Sequence, residues 1–276
     1  MTLEKDTQFT ISIQGVKVHY EVYHQDASKF KPTIVLVHGF LSSTFSFRRL
    51  IPLLAKEYRV IALDLPPFGK SEKSKNFFYT YNNLANIVIE LLEALKIKDI
   101  VLVGHSMGGQ ISLHVVKKRP ELVRRVVLLC SSSYLDKSRL SLIFSTYIPF
   151  FSFCLKSIMT KQGVKRNLLN VVYDQSMIDE EMMLGYEQPF YDNQIFNALA
   201  RMIRHREGDL SSSELQSLDT KSLLIWGRED KVVPLQVGER LHEDLRYSKL
   251  ITFDHTGHLL PEEKPQHIHE NILQFI

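Results

Sequence analysis

The chain has 276 residues, enough for one large buried core with a subsidiary unit. Hydrophobic residues make up 44% and charged residues 24%, which excludes a disordered or fibrous chain and fits a soluble globular enzyme. A net charge of +3 argues against a nucleic-acid partner, and two cysteines, Cys130 and Cys154, make no disulfide framework.

The first residues, Met1-Thr2-Leu3-Glu4-Lys5-Asp6, lack an apolar signal core, so a cytoplasmic location is expected. Residues 9–13 and 16–23 alternate apolar and polar and meet near Gly15, which predicts an opening hairpin. Residues 33–37 form a continuous apolar strand that runs into His38-Gly39-Phe40. A helix is expected over 47–56 despite Pro52, then a strand over 58–63 ending at Asp64. Leu84, Ile87, Val88, Leu91, Leu92 and Leu95 have helical spacing within 80–95.

The next segment is the most informative. Ile100-Val101-Leu102-Val103 reads as a strand buried on both faces, and Gly104-His105-Ser106-Met107-Gly108-Gly109 turns it at once into a helix over 107–119. This is a G-x-S-x-G pattern in the strand-to-helix context that lifts a serine hydroxyl clear of the sheet. Its glycines remove Cβ atoms that would collide in so sharp a bend. Lys117, Lys118 and Arg119 close the helix before Pro120, where cations meet the negative end of the helix dipole. A strand over 125–130 follows, and Cys130 at its end reads as a small core residue.

Residues 131–217 break the strand–helix rhythm. They read as helical pieces over 139–159, 161–172, 178–186 and 193–206, with Ser211-Ser212-Ser213 as the polar return to the core. The chain therefore divides into a first core part, 1–133, a helical cap insertion, 134–212, and a second core part, 213–276. The apolar run 140–155 is too short to span a bilayer and holds Pro149, so no stable membrane insertion is expected. Its Phe144, Tyr147, Phe150, Phe151 and Phe153 are candidates to line an apolar substrate pocket, packing of the cap itself being the alternative. Strands over 223–226 and 249–253 and helices over 235–245 and 266–276 complete the chain. The whole predicts an α/β fold with a mostly parallel eight-stranded sheet and helices on both faces.

In an open parallel sheet functional residues gather beyond the carboxyl ends of the strands. Here one strand end delivers Ser106. A second runs into Gly227-Arg228-Glu229-Asp230, and a third into Asp254-His255-Thr256-Gly257-His258. A serine hydroxyl needs a base to take its proton, and a histidine needs a carboxylate to fix its tautomer and steady its positive form. Ser106 is the expected nucleophile, His258 the base and Asp230 the acid. Glu229 remains an alternative acid and His255 an alternative base. The strand ending near Cys130 is followed by Ser131-Ser132-Ser133, with no carboxylate to compete. The backbone amides of Phe40 and Met107 are the expected oxyanion donors. His105 is expected to pack behind the serine, and His38 to hold the neighbouring loop. No phosphate loop, dinucleotide fingerprint or zinc-ligand spacing occurs, so neither cofactor nor metal is expected.

With these residues placed, the chain resembles the α/β-hydrolase superfamily, and within it the cofactor-free serine hydrolases with a helical cap. The resemblance spans nearly the whole chain. It rests on His38-Gly39-Phe40, on Asp64 to Ser71, on the turn 104–108, on Leu224 to Asp230, and on Gly257-His258 followed by Glu262, Glu263, Lys264 and Pro265. Haloalkane dehalogenases and epoxide hydrolases carry an aspartate where this chain has Ser106, which disfavours both. Two features depart from the pattern. Pro66-Pro67 stands where a Pro-Gly pair is usual, implying a stiffer turn. The loop after Gly39 continues Phe40-Leu41-Ser42-Ser43 without the further glycine of many C–C hydrolases.

The resemblance implies hydrolysis of carboxylic esters of small to medium apolar substrates through an acyl-enzyme on Ser106, by a monomer or homodimer. A second reading is hydrolysis of a C–C bond in a vinylogous diketone, which needs a polar group from the insertion, with Arg166, Arg201 or Arg204 as candidates. A third is a slow-turnover ligand receptor of the same fold.

Overall fold

Alternating strand and helix patterns assemble into one eight-stranded sheet in the computed structural model, which describes residues 7–24 and 31–276. The hairpin β1 (Thr7–Ile13) and β2 (Val16–Tyr23) opens the chain, followed by β3 (Thr33–Val37), β4 (Val60–Leu63), β5 (Ile100–His105), β6 (Val123–Leu129), β7 (Ser222–Gly227) and β8 (Ser248–Phe253). The spatial order is β1-β2-β4-β3-β5-β6-β7-β8. β1 with β2 and β2 with β4 pair antiparallel, and all later pairs are parallel. The apolar runs of β3, β4 and β5 are buried along their whole length because helices cover both faces of the sheet.

The flanking helices of the first half are α1 (Ile51–Leu54), α2 (Tyr81–Ala94) and α3 (Met107–Lys118). The helix expected over 47–56 shrinks to a 3-10 turn, Thr44–Phe47, and the single turn α1. Pro52 has no N–H to donate and tolerates only the first turn of a helix, so α1 can begin only just before it. The turn after Asp64 contains a cis Pro66-Pro67 bond.

Between β6 and β7 lies an all-helical insertion: α4 (Leu140–Ser145), α5 (Phe151–Gln162), α6 (Val164–Val171), α7 (Glu180–Glu187), α8 (Gln194–His205) and α9 (Ser212–Gln216). The continuous helix expected over 139–159 is broken into α4 and α5. Pro149 interrupts the hydrogen-bond ladder, and Phe150 takes a left-handed conformation, φ 68°, before α5 begins. The serine run 211–213 is not a plain linker. The Ser211 hydroxyl accepts from the Glu214 amide while the Glu214 carboxylate accepts from the Ser211 amide, a capping box that starts α9. The two stems of the insertion are clamped together. The Leu135 amide donates to the Asp209 carboxylate at 3.0 Å, and the Asp209 amide to the Leu135 carbonyl at 2.9 Å.

The chain returns through α10 (Leu235–Asp244), α11 (Leu260–Glu263) and α12 (Pro265–Phe275). Among the described residues no helix is long and apolar enough to cross a membrane. The chain runs from β3 outward to β4 on one side and then to β5 on the other. The loops after β3 and β5 therefore diverge and open a crevice at the carboxyl edge of the sheet.

Candidate active site

Ser106 sits in that crevice, between the last residue of β5 and the first of α3, with φ 53° and ψ −122°. L-residues rarely adopt such angles, and the surroundings hold this one in place. The Ser106 amide donates to Leu129 at 2.9 Å, and its carbonyl accepts from Ser132 at 3.1 Å and from Gly109 at 2.9 Å. The helix that follows can reach the sheet only because Gly108 has no side chain. A Cβ there would lie 2.2 Å from the Val37 carbonyl oxygen.

Asp230 and His258 meet where the loops after β7 and β8 cross. The His258 Nδ1–H donates to Asp230 Oδ2 at 2.7 Å, which leaves Nε2 of the neutral ring as its proton acceptor. Asp230 Oδ1 accepts from the amides of Val232 and Val233 at 2.7 and 2.9 Å. Burial acts to raise the Asp230 carboxyl, but the bond from His258, its charge and the Val233 amide outweigh it and hold the group below its ordinary range. Gly227 permits the crossing of the loops, since a Cβ on it would lie 2.3 Å from the Thr256 carbonyl oxygen.

The other candidates separate cleanly. Glu229 accepts from the Thr256 amide at 2.9 Å and so braces the loop that carries His258. His255 is exposed and bonds the Tyr173 hydroxyl at 2.9 Å. His105 is buried, and its Nε2 bonds the His258 carbonyl at 2.8 Å, so it supports the His258 loop. Burial, then the neighbouring His258, pushes His105 down to about 3, so the ring is neutral and donates that bond. His38 accepts from the Leu65 amide at 2.9 Å and donates to the Gly39 carbonyl at 2.7 Å, which ties the loop after β3 to the loop after β4. Among the described residues neither the Phe40 nor the Met107 amide has a hydrogen-bond acceptor.

Cys130, Asp230 and His258 form the one cluster of metal-ligand types among the described residues, with ligand atoms within 4.8 Å of one another. The cluster suits an ion poorly. Burial, then the charge of Asp230, pushes the Cys130 thiol well up, and Asp230 is already committed to His258 and two amides.

Ser106 lies at the junction of two cavities. One, of about 330 Å³, includes Val164, Leu168, Val171, Phe190 and Leu259 together with Ser106 and His258. The other, of about 410 Å³, includes Leu142, Leu155, Met159, Leu199 and Met202. Phe40, Ser106 and Val232 belong to both walls. The aromatic residues expected to line the pocket do not. Phe144, Tyr147 and Phe150 are exposed, Phe151 is half-buried, and none of the four borders either cavity. Around the break at Pro149 the side chains of Phe144, Tyr147 and Phe150 face outward, and the cavity wall is made instead by Leu142, Leu155 and Met159. The last two are one helical turn apart, and that spacing was the available signal.

The three arginines proposed to enter the pocket also lie elsewhere. Arg166 is exposed, Arg201 reaches the Phe77 carbonyl at 3.5 Å, and Arg204 bonds Thr146 and lies over the Tyr147 ring at 4.0 Å. Arg206, which sequence reasoning missed, borders the second cavity, and its buried Nε has no hydrogen-bond partner. It follows the end of α8, where no periodic pattern marks it.

A family model described as alpha/beta hydrolase fold matches residues 32–265. The chain is 56% identical over 265 residues to the uncharacterized hydrolase YugF of Bacillus subtilis, covering 96% of each chain. It is 31% identical to the 2-hydroxymuconate semialdehyde hydrolase of a Pseudomonas strain, over 82% of this chain and 80% of that one. The solved structure of a meta-cleavage product hydrolase from Pseudomonas fluorescens superposes with a TM-score of 0.77 at 23% identity, covering 97% of this chain and 96% of that one.

Proposed function

Because the chain belongs to the alpha/beta hydrolase fold family and is a hydrolase, we propose that it is a cytoplasmic serine hydrolase that cleaves carboxylic esters with apolar groups on both sides of the carbonyl. The observation that carries this reading is the position of Ser106 at the junction of two largely apolar cavities, one for each arm of such an ester.

In this reading His258 Nε2 takes the proton as Ser106 Oγ attacks the carbonyl carbon. The amides of Phe40 and Met107 bind the oxyanion, each worth roughly 10²–10³ in rate. The proton then passes from His258 to the departing alkoxide, leaving an acyl group on Ser106. A water molecule, deprotonated by the same ring, attacks that acyl group, and the collapse returns the proton to Ser106. Asp230 keeps the ring in the tautomer whose Nε2 is free and steadies its positive form. Neither a cofactor nor a metal has a part in these steps.

Ser106→Ala tests the assignment directly. The folded variant should lose p-nitrophenyl ester hydrolysis and labelling by a fluorophosphonate, and retained activity would refute it. A second reading, hydrolysis of a C–C bond, is favoured by Arg206. A cation with a spare donor in the wall of a cavity that Ser106 also borders would suit a substrate that carries a carboxylate, and the Pseudomonas relative at 31% identity is named a 2-hydroxymuconate semialdehyde hydrolase.

A further inference from the structure

The hairpin formed by α4, its connection and the start of α5 presents a set of large apolar side chains mostly to solvent. Leu140, Phe144, Tyr147, Ile148, Phe150 and Phe153 are each 62–79% exposed. Isolated exposed apolar residues are common, but six within one short hairpin are not. At its apex Phe150 holds a left-handed backbone conformation, costly for a bulky residue, and the side chain so placed is 79% exposed. Within the isolated chain this arrangement has a cost and no compensating burial.

Charge is distributed in the same place. From Lys137 to Tyr173 the sequence holds six cations, Lys137, Arg139, Lys156, Lys161, Lys165 and Arg166, and no carboxylate, so the rest of the chain is net acidic. Lys137 and Arg139 precede α4 and are exposed. Lys165 and Arg166 are exposed on the first turn of α6, the helix packed against α5.

We propose that this hairpin docks the protein on the surface of an anionic phospholipid bilayer, its apolar apex entering the headgroup–acyl boundary and its basic flanks facing the lipid phosphates. An apolar tip flanked by cations is the complement of that surface, and exposed cations both before α4 and on the first turn of α6 suit a charged plane better than a single pocket. The inner side of the same hairpin supplies Leu142 and Leu155 to the second cavity, so a docked protein would hold that cavity beside the lipid. The docking itself does not depend on which bond Ser106 attacks.

The test is co-flotation of the full chain with vesicles of phosphatidylcholine alone or with about 30% phosphatidylglycerol. Binding should be at least about tenfold tighter to the anionic vesicles and should weaken as salt is raised to about 0.5 M. Leu140→Ser/Ile148→Ser/Phe153→Ser and Lys137→Gln/Arg139→Gln/Lys165→Gln should each lose about tenfold or more in binding while melting at the parent temperature. Equal binding to both vesicles, no binding to either, or variants that bind like the parent would overturn the proposal. A lipid-free dimer that the apolar variant dissociates would overturn it too, by making the face an interface between copies of the chain.

Discussion

The amide of His258 donates to the carbonyl of Val171 at 2.7 Å, so the proposed base hangs from the last residue of insertion helix α6. Glu263 ties the same junction from the core side. Its carboxylate accepts from the Gly257 amide at 3.0 and 3.1 Å and from the Tyr173 amide at 2.8 Å. The position of the insertion and the position of the imidazole are thereby one variable.

Removing that tie should loosen the ring without touching the serine. Glu263→Ala is expected to lower kcat for a p-nitrophenyl ester by about tenfold or more, with KM changed much less, because ring placement is felt in the transition state. Glu263→Gln, which still offers one acceptor oxygen, should recover part of the loss. Unchanged kcat in a folded Glu263→Ala protein would separate the junction from the chemistry.

Asp230 has both a kinetic and a pH signature. Asp230→Asn should reduce kcat by roughly 10³–10⁴, since the ring would no longer be held with Nε2 free. The carboxyl lies below its ordinary range in the folded protein, so its charged form stabilises the fold above the unfolded value near 3.8. That contribution disappears as pH falls through the lower folded value. The parent should therefore lose more stability than Asp230→Asn between pH 6 and pH 3 in urea titrations, and parallel losses would contradict the assignment.

Asp209 gives the opposite sign at the clamp between the two stems. Burial pushes its carboxyl up to about 6, against the pull of the Leu135 amide and Arg206. The charged form is disfavoured on folding, so the contribution of Asp209 is intact below pH 3.8 and is lost as pH rises through about 6. Asp209→Asn keeps an acceptor for Leu135 and should be more stable than the parent at pH 8, by on the order of 1–3 kcal/mol. At pH 3.5 the two should melt alike, and a gain of equal size at both pH values would exclude a titration effect.

Arg206 separates the two substrate readings. Arg206→Met should leave kcat/KM for uncharged p-nitrophenyl esters within about threefold. It should cost a carboxylate-bearing diketone substrate on the order of 10–100-fold, through a lost charged hydrogen bond of about 1.5–3 kcal/mol. Loss of activity on the neutral esters alone would argue that Arg206 shapes the cavity rather than binding charge.

Much of the architecture was legible because its signals are local. Buried strands, short loops and a serine turn place Ser106, Asp230 and His258 along one edge of the sheet, and the structure brings Asp230 and His258 into contact. The rest depends on directions the sequence does not carry. Apolar residues occur on both faces of the 140–155 segment, and the bend at Pro149 decides which of them turn inward. Arg206 and Glu263 act through backbone partners or an open cavity wall, and neither leaves a periodic trace.

The close approaches at Gly108 and Gly227 have an evolutionary consequence. Beneath the reacting groups, main chain lies against main chain, with no space even for a methyl group. Such a foundation offers point mutation nothing to adjust: almost every change there is a loss. Heritable variation that alters the choice of substrate must then accumulate in the helices overhead, where a leucine can be exchanged for a neighbour in size without disturbing the chemistry below.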